Sequence, residues 1–123
     1  MCLFCSISDD RVVLSSDSAI AFFDAYPITA SHTLVVPRQH VESIFALSAP
    51  EQSELWHFVA QVRDLLFEKT GALSFNIGVN DGLAAGQTIS HAHIHVIPRR
   101  PGDVKDPRGG VRWIIADKAA YWK

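Results

Sequence analysis

Only two cysteines occur in the chain, Cys2 and Cys5, and none lies beyond the fifth residue. A disulfide framework joining distant parts of a fold is therefore excluded. Positive charge is not in excess either: 11 Lys and Arg stand against 13 Asp and Glu, for a net charge of −2. That balance argues against a nucleic-acid binder working through global positive charge. No stretch approaches the roughly 18 uninterrupted apolar residues of a membrane-spanning helix. Residues 1–8 also lack the basic start and long apolar run of an export signal. A cytoplasmic protein, with neither nucleic acid nor membrane as partner, is the expectation. A Gly-x-x-x-x-Gly-Lys-Ser/Thr run is missing too, so the chain is not a P-loop protein.

What is present is a core. Apolar residues make up 48% of 123, enough for one domain over residues 1–123. Residues 11–23 read as two short strands around a Ser-Ser-Asp-Ser turn, and residues 32–37 as a third, stopped by proline. Ser48 stands three residues before Glu51, the capping-box spacing, with Pro50 in the first turn. Leu55, Val59, Val62 and Leu66 then draw one apolar stripe, and Gly71 offers a C-terminal cap. A helix over 48–70 follows, with a shorter one near 39–47. Strands over 73–80 and 89–98, separated by a glycine-containing turn over 81–86, complete the pattern. The class is α+β, with a mostly antiparallel five-stranded sheet, one long helix and one short helix.

The most informative segment is His91-Ala92-His93-Ile94-His95-Val96-Ile97. Along a strand, alternate side chains share a face, so three of the six histidines form one exposed ledge while Ala92, Ile94 and Val96 point into a core. A solvated polar face would draw on Thr, Lys or Glu rather than His. One metal cannot easily take all three, because His91 and His95 would be about 13 Å apart at Cα and zinc–nitrogen bonds are about 2.1 Å. Divided roles fit better. Neutral imidazole is a good nucleophile towards phosphorus, and a neighbouring ring can donate a hydrogen bond to phosphoryl oxygens. The preceding Asn80-Asp81-Gly82-Leu83-Ala84-Ala85-Gly86-Gln87-Thr88 offers backbone N–H groups and neutral donors for an anion.

Residues 86–99, Gly-Gln-Thr-Ile-Ser-His-Ala-His-Ile-His-Val-Ile-Pro-Arg, resemble the signature of the histidine triad (HIT) superfamily, His-φ-His-φ-His-φ-φ with φ apolar. The resemblance extends to the Asp24 segment, to residues 32–40 and to Cys2-x-x-Cys5. It implies that His93 attacks the α-phosphate to form a nucleotidyl-imidazole, and that His95 contacts the phosphate or leaving group. Asp24 would bind the ribose hydroxyls, while Asn80, Gly86, Gln87 and Thr88 would hold the phosphates. The implied substrate is an AMP-containing purine nucleotide, a dinucleoside polyphosphate or a phosphoramidate, and Arg99-Arg100-Pro101-Gly102-Asp103 leans towards the former. No catalytic metal is implied, and homodimers with a continuous sheet are common. A nucleotidyl transferase or phosphorylase on the same intermediate, or a non-catalytic purine-nucleotide-binding protein, are the alternatives.

Cys2 and Cys5 have zinc-knuckle spacing, though two buried small residues would look the same. A closed tetrahedral site needs two further ligands, for which His40 and His91 are the candidates. Some bacterial-type HIT members carry this set of four as a structural zinc site. A small zinc module for protein contacts is a further reading, but it leaves His93 and His95 unexplained. Between Arg99 and Arg112, five basic residues (Arg99, Arg100, Lys105, Arg108, Arg112) face Asp103 and Asp106. That run suits a solvated tail or polyphosphate steering.

Overall fold

Residues 11–23 fold back on themselves because Ser16 is a better turn residue than strand residue. Its hydroxyl accepts from the N–H groups of Ser18 and Ala19, at 3.3 and 3.1 Å. Strands β1 (Val12–Ser15) and β2 (Ala19–Phe23) result. With β3 (Thr33–Pro37), β4 (Ser74–Val79) and β5 (Ile94–Arg99) they make one sheet in the order β1-β2-β3-β5-β4, antiparallel throughout. This computed structural model describes residues 2–122.

Helix α1 runs Ala49–Thr70. Ser48 Oγ accepts from the Glu51 N–H at 3.3 Å while Glu51 Oε1 accepts from the Ser48 N–H at 2.8 Å. Each satisfies a donor that the helix start would otherwise leave free, worth about 1 kcal/mol. Gly71 closes the other end at φ +74°, a left-handed conformation that suits glycine. Leu55, Phe58, Val59, Val62 and Leu66 are buried. They pack on Ala19, Ala21, Val35, Ala92, Ile94 and Val96, one face of the sheet.

The opposite face is closed by the N-terminal segment. Phe4 joins Phe22, Leu34 and Val36 there, with Cys2, Ile7, Ile20 and Ile89 packed alongside. Strand β4 is an outer strand with no second neighbour among the described residues.

Two expectations change. The short helix near 39–47 is a single 3-10 turn, Ile44–Ala46. Extended backbone at Ser43 and its hydroxyl, which accepts from Phe45 N–H at 3.1 Å, cap a turn too short to propagate. Just before it, Val41 O is held by the Ala92 N–H at 2.7 Å. The last strand starts at Ile94 rather than 89. The backbone at 91–93 turns towards its own partners instead of the ladder, and Pro37, the last residue of β3, has no N–H to offer.

After β5 the chain forms a 3-10 segment (Gly110–Ile114) and a one-turn helix α2 (Ala116–Ala119). Gly109 makes this return possible. At φ +92° any Cβ there would meet Ala119 O at 3.1 Å and the Trp113 and Trp122 rings at 3.3 Å.

Candidate active site

The alternation of β5 carries the site. Ile94 and Val96 enter the helix-side core, so His95 is left on the other face, together with His93 just before the strand. The ledge is not solvent-exposed as expected: His91 is 0% and His93 8% exposed. The N-terminal segment covers them, with Phe4 edge-on to His93 at 5.1 Å between ring centroids.

Each buried ring is held by a neighbour that fixes its tautomer. Carbonyl oxygens only accept, so His91 donates Nε2–H to Pro37 O at 2.7 Å and His93 donates Nδ1–H to His91 O at 2.9 Å. The Nε2 atom of His93 is thereby left unprotonated. Ile28 N–H donates to His32 Nδ1 at 3.2 Å, so His32 carries its proton on Nε2 and gives it to His95 Nδ1 at 2.9 Å. By the same reasoning His95 bears its proton on Nε2. The rings of His93 and His95 stand 5.2 Å apart. A lone pair on one ring and an N–H on the next are the complement needed at a phosphoryl group.

Burial favours the neutral form of His95, His32 and His91. It pushes the His95 pKa down to about 4, helped by His93 and His32 and opposed by Asp24. His32 is lowered by burial against the opposing charge of Asp24, whose Oδ2 lies 3.5 Å from His32 Nε2. Burial also lowers His91, more than its bond to Pro37 O raises it.

The other predicted residues are dispersed around this centre. Asp24 sits beside the His32–His95 pair, its Oδ1 accepting from the Tyr26 N–H at 2.9 Å. Val79 opposes Ile94 at the end of the ladder, and Asn80 follows directly where β4 ends. Gly78 opposes His95, with nothing within 4 Å of where its Cβ would be. Gly86 adopts φ +98° in the preceding loop, and Thr88 lines a small cleft with Gly82 and Ser90. Gln87 is turned inwards: its amide donates to the carbonyls of Glu42 and Ile89, at 2.9 Å each, and accepts from the Gly82 N–H at 2.9 Å. Its side chain shapes the loop.

His32 is the participant that sequence reasoning underused. It lies two residues before Leu34, which opposes His95, and so falls on the same face. That parity was its only signal.

A second cluster lies at the far edge of His91. Its Nδ1 is 3.4 Å from Cys2 Sγ and 3.6 Å from Cys5 Sγ, and His40 Nδ1 is 3.3 Å from Cys5 Sγ. One ligand atom from each of the four lies within 4.8 Å of the others, so this group could hold a metal ion. Two cavities open on the triad face, neither lined by His93 or His95 themselves. One, of about 650 Å³, is bounded by Phe4, Ile7 and Ile20. The other, of about 690 Å³, lies by Ile28, Ile97 and Trp113.

Fold and triad together define a histidine-triad protein. The chain belongs to the HIT domain family, whose profile matches residues 6–102. It is 37% identical over 102 residues to an uncharacterized HIT-like protein of Saccharolobus solfataricus, covering 80% of this chain and 73% of that one. It is 36% identical over 96 residues to the asymmetrical bis(5'-nucleosyl)-tetraphosphatase of Schizosaccharomyces pombe, covering 78% of this chain and 53% of that one. The Arabidopsis thaliana adenylylsulfatase HINT3 is 32% identical over 106 residues, covering 83% and 54%. The crystal structure of a HIT family protein from Bacillus anthracis aligns with a TM-score of 0.75 at 34% identity, over 83% of this chain and 75% of that one.

The neutral rings make a prediction for acid. His95 titrates near 6.5 in the unfolded chain and near 4 in the folded one, so between those values the unfolded state binds more protons. Stability should therefore decline as pH falls from about 6.5 to 4 and level off below. In chelator-treated protein, melting curves across that range should be shallower for His95→Gln than for wild type. Equal slopes would show that His95 does not titrate low.

Proposed function

We propose that the chain cleaves an AMP-containing nucleotide at its α-phosphate through a nucleotidyl–His93 intermediate. One observation carries this reading: His93 gives Nδ1–H to the carbonyl of His91, which frees Nε2 beside the neutral, proton-bearing Nε2 of His95. The relatives named as a bis(5'-nucleosyl)-tetraphosphatase and an adenylylsulfatase support the same class.

In the first step the Nε2 lone pair of His93 attacks the α-phosphorus. A P–N bond forms and the P–O bond to the leaving group breaks, its electron pair departing with the leaving oxygen. The Nε2–H of His95 hydrogen-bonds the oxygens on which charge accumulates. Water then attacks the same phosphorus. The P–N pair returns to His93, AMP is released, and the proton lost from water passes to solvent. The His32–His95 hydrogen bond orients the donor throughout, with no charged side chain moving. Asn80, Gly86 and Thr88 hold the phosphates, on a loop that Gln87 shapes. Asp24 meets the ribose hydroxyls. The cavity bounded by Phe4, Ile7 and Ile20 receives the base, these three offering the ring apolar contact while Ser6, Asp9, Ser15 and Arg38 line the rest.

Cys2, Cys5, His40 and His91 hold a structural zinc ion in this reading. Two thiols and two imidazole nitrogens are a closed zinc donor set. The bond from His91 Nε2 to Pro37 O aims the unprotonated Nδ1 at the thiols, the orientation a ligand histidine requires. The ion would fasten the N-terminal segment to the triad and stay out of the reaction.

We also place the working form as a homodimer with a continuous sheet. Beside the outer strand β4, Leu73 (74% exposed), Ile77 (36%), Trp56 (44%) and Phe67 (39%) leave an apolar surface. Arg63 links the helix and strand sides of it, lying 5.9 Å from the Phe67 ring and 5.3 Å from that of Phe75.

The covalent step is checked by intact-mass spectrometry after brief mixing with an adenylated substrate. Wild type should gain one AMP mass, while His93→Ala should show no adduct and a turnover loss of more than roughly 1,000-fold. Turnover with no adduct in either protein would reject the covalent route. Elemental analysis should find one zinc per chain, and chelation should lower the melting temperature while adduct formation persists. Protein isolated metal-free, with melting indifferent to chelator, would refute the metal site. Sedimentation equilibrium should give twice the 13.6 kDa chain mass, and Ile77→Lys should shift it towards one; wild type at one chain mass would refute the dimer.

A further inference from the structure

The four-residue donor cluster and the base cavity share a residue, Cys5. Its thiol lies in the group with Cys2, His40 and His91, and Cys5 also lines the cavity bounded by Phe4, Ile7 and Ile20. Cys5 is exposed whereas Cys2 is partly buried, so Cys5 is the sulfur that a small molecule from solvent meets first. Neither sulfur has a part in the displacement at phosphorus.

The two sulfurs are already gathered. Cys5 N–H donates to Cys2 O at 3.2 Å across the 3-10 turn Leu3–Cys5, and the two Sγ atoms lie within 4.8 Å of each other. A turn of this kind keeps Cα atoms three residues apart within about 7 Å, a span that a disulfide can bridge. Joining the sulfurs therefore asks for rotation of two side chains, with the turn intact. What the rotation gives up is attachment to the rest of the fold. Cys2 Sγ faces His91 Nδ1 at 3.4 Å, and Cys5 Sγ faces His40 Nδ1 at 3.3 Å and His91 Nδ1 at 3.6 Å. Cys2 Sγ also accepts from the Phe4 N–H at 3.3 Å. Phe4, between the two cysteines, has its ring 5.1 Å from that of His93 and 5.2 Å from that of Phe22. Contacts at the sulfurs thus help to hold one wall of the base cavity.

We propose that Cys2 and Cys5 are a site of reversible oxidation, closed to a disulfide by hydroperoxides, and that the disulfide and a nucleotide in the adjoining cavity oppose each other. The Cys5 sulfur attacks an oxygen of hydrogen peroxide: an S–O bond forms, the O–O bond breaks, and one water leaves behind a sulfenic acid. The Cys2 sulfur then attacks the Cys5 sulfur. An S–S bond forms, the S–O bond breaks, and a second water leaves. Two electrons and two thiol hydrogens have passed to the peroxide, and a dithiol reductant returns them. From metal-bound thiolates the two protons come from solvent instead. Both sulfur donors are then lost, and His40 and His91 alone are two ligands short of a closed set. Thiol pairs oxidised in reducing compartments are commonly transient sensors of this kind. A base against Phe4 covers Cys5 and keeps the segment closed, so nucleotide slows the oxidation and the oxidised chain binds nucleotide less tightly. The coupling rests on the reading of this cavity as the base site.

The test treats zinc-loaded wild type with a few equivalents of hydrogen peroxide beside a chromogenic zinc chelator, then denatures and alkylates it. Untreated chains should take two N-ethylmaleimide groups and oxidised chains none. Non-reducing peptide mapping should find the Cys2–Cys5 link, with one zinc set free per link, and dithiothreitol with added zinc should restore the starting state. Metal-free protein should form the same link, so the alkylation count tests the site with or without the ion. Saturating AMP should slow oxidation about tenfold, and oxidised protein should bind AMP about tenfold more weakly by calorimetry, a usual size for coupling between sites. In Cys2→Ser, oxidation should stop at a sulfenic acid on Cys5 that dimedone traps. Cys5 driven to sulfinic or sulfonic acid with no link to Cys2, or both thiols still free to alkylate after peroxide, would overturn the oxidation site. A link that leaves AMP affinity unchanged would overturn the coupling. A link that forms in a chain binding no AMP in either state would instead overturn the nucleotide reading and leave the oxidation site standing.

Discussion

Pro37 O accepts a hydrogen bond of 2.7 Å from His91 Nε2, deep in the fold, and much of the site is arranged around it. That bond turns the fully buried His91 ring so that Nδ1 faces Cys2 and Cys5. With the ring fixed, the backbone carbonyl of His91 is aimed at His93 Nδ1, which sets the tautomer of the proposed nucleophile. One residue thus serves two sites, through its side chain in one direction and its main chain in the other. The covering Phe4, between the two cysteines in sequence, is held at His93 by the same anchoring. Loosening His91 would release the N-terminal segment and free the His93 ring together.

The sheet separates support from chemistry by the simplest rule available to it. Successive residues of β5 face opposite sides, so Ile94 and Val96 bind the sheet to α1 while His95 stays on the working face. Shifting the register by one residue would exchange the two sets, placing imidazoles against α1 and aliphatics in the site. Register is therefore a functional constraint as well as a structural one. The pairing of Leu34 with His95 sets it on one side and that of Gly78 with His95 on the other. Gly78, lacking a side chain, leaves space beside His95 where any larger residue would stand.

Features specified by neighbours in sequence were legible before the structure. The capping box of Ser48 and Glu51, the stripe of Leu55, Val59, Val62 and Leu66, and the left-handed stop at Gly71 all act within a few residues. The three-histidine alternation was legible for the same reason. Contacts across the fold were not. The start of β5 moved to Ile94 because Ala92 answers to Val41, and the histidine ledge became buried because Phe4 folds over it. The bond from the Gln87 amide to the carbonyl of Glu42 spans 45 residues, and no local signal announces it. The C-terminal run reads as a charged tail. It folds instead because left-handed Gly109 permits Arg108 to sit 4.4 Å from the Trp122 ring and Arg112 4.8 Å from that of Tyr121.

Neutral donors suit the substrate proposed for this site. A polyphosphate brings several negative charges, and a row of cationic side chains would bind ground state and transition state alike, with little gain in rate. Burial instead holds His95 neutral, through a pKa near 4, so that its N–H dipole would meet the charge that builds up in the proposed displacement. The cost is a fold that acid destabilises and that must satisfy every buried ring nitrogen from within. His32 answers that demand for His95, His91 O for His93, and Pro37 O for His91. Such a chain of partners leaves little freedom to vary the reacting centre.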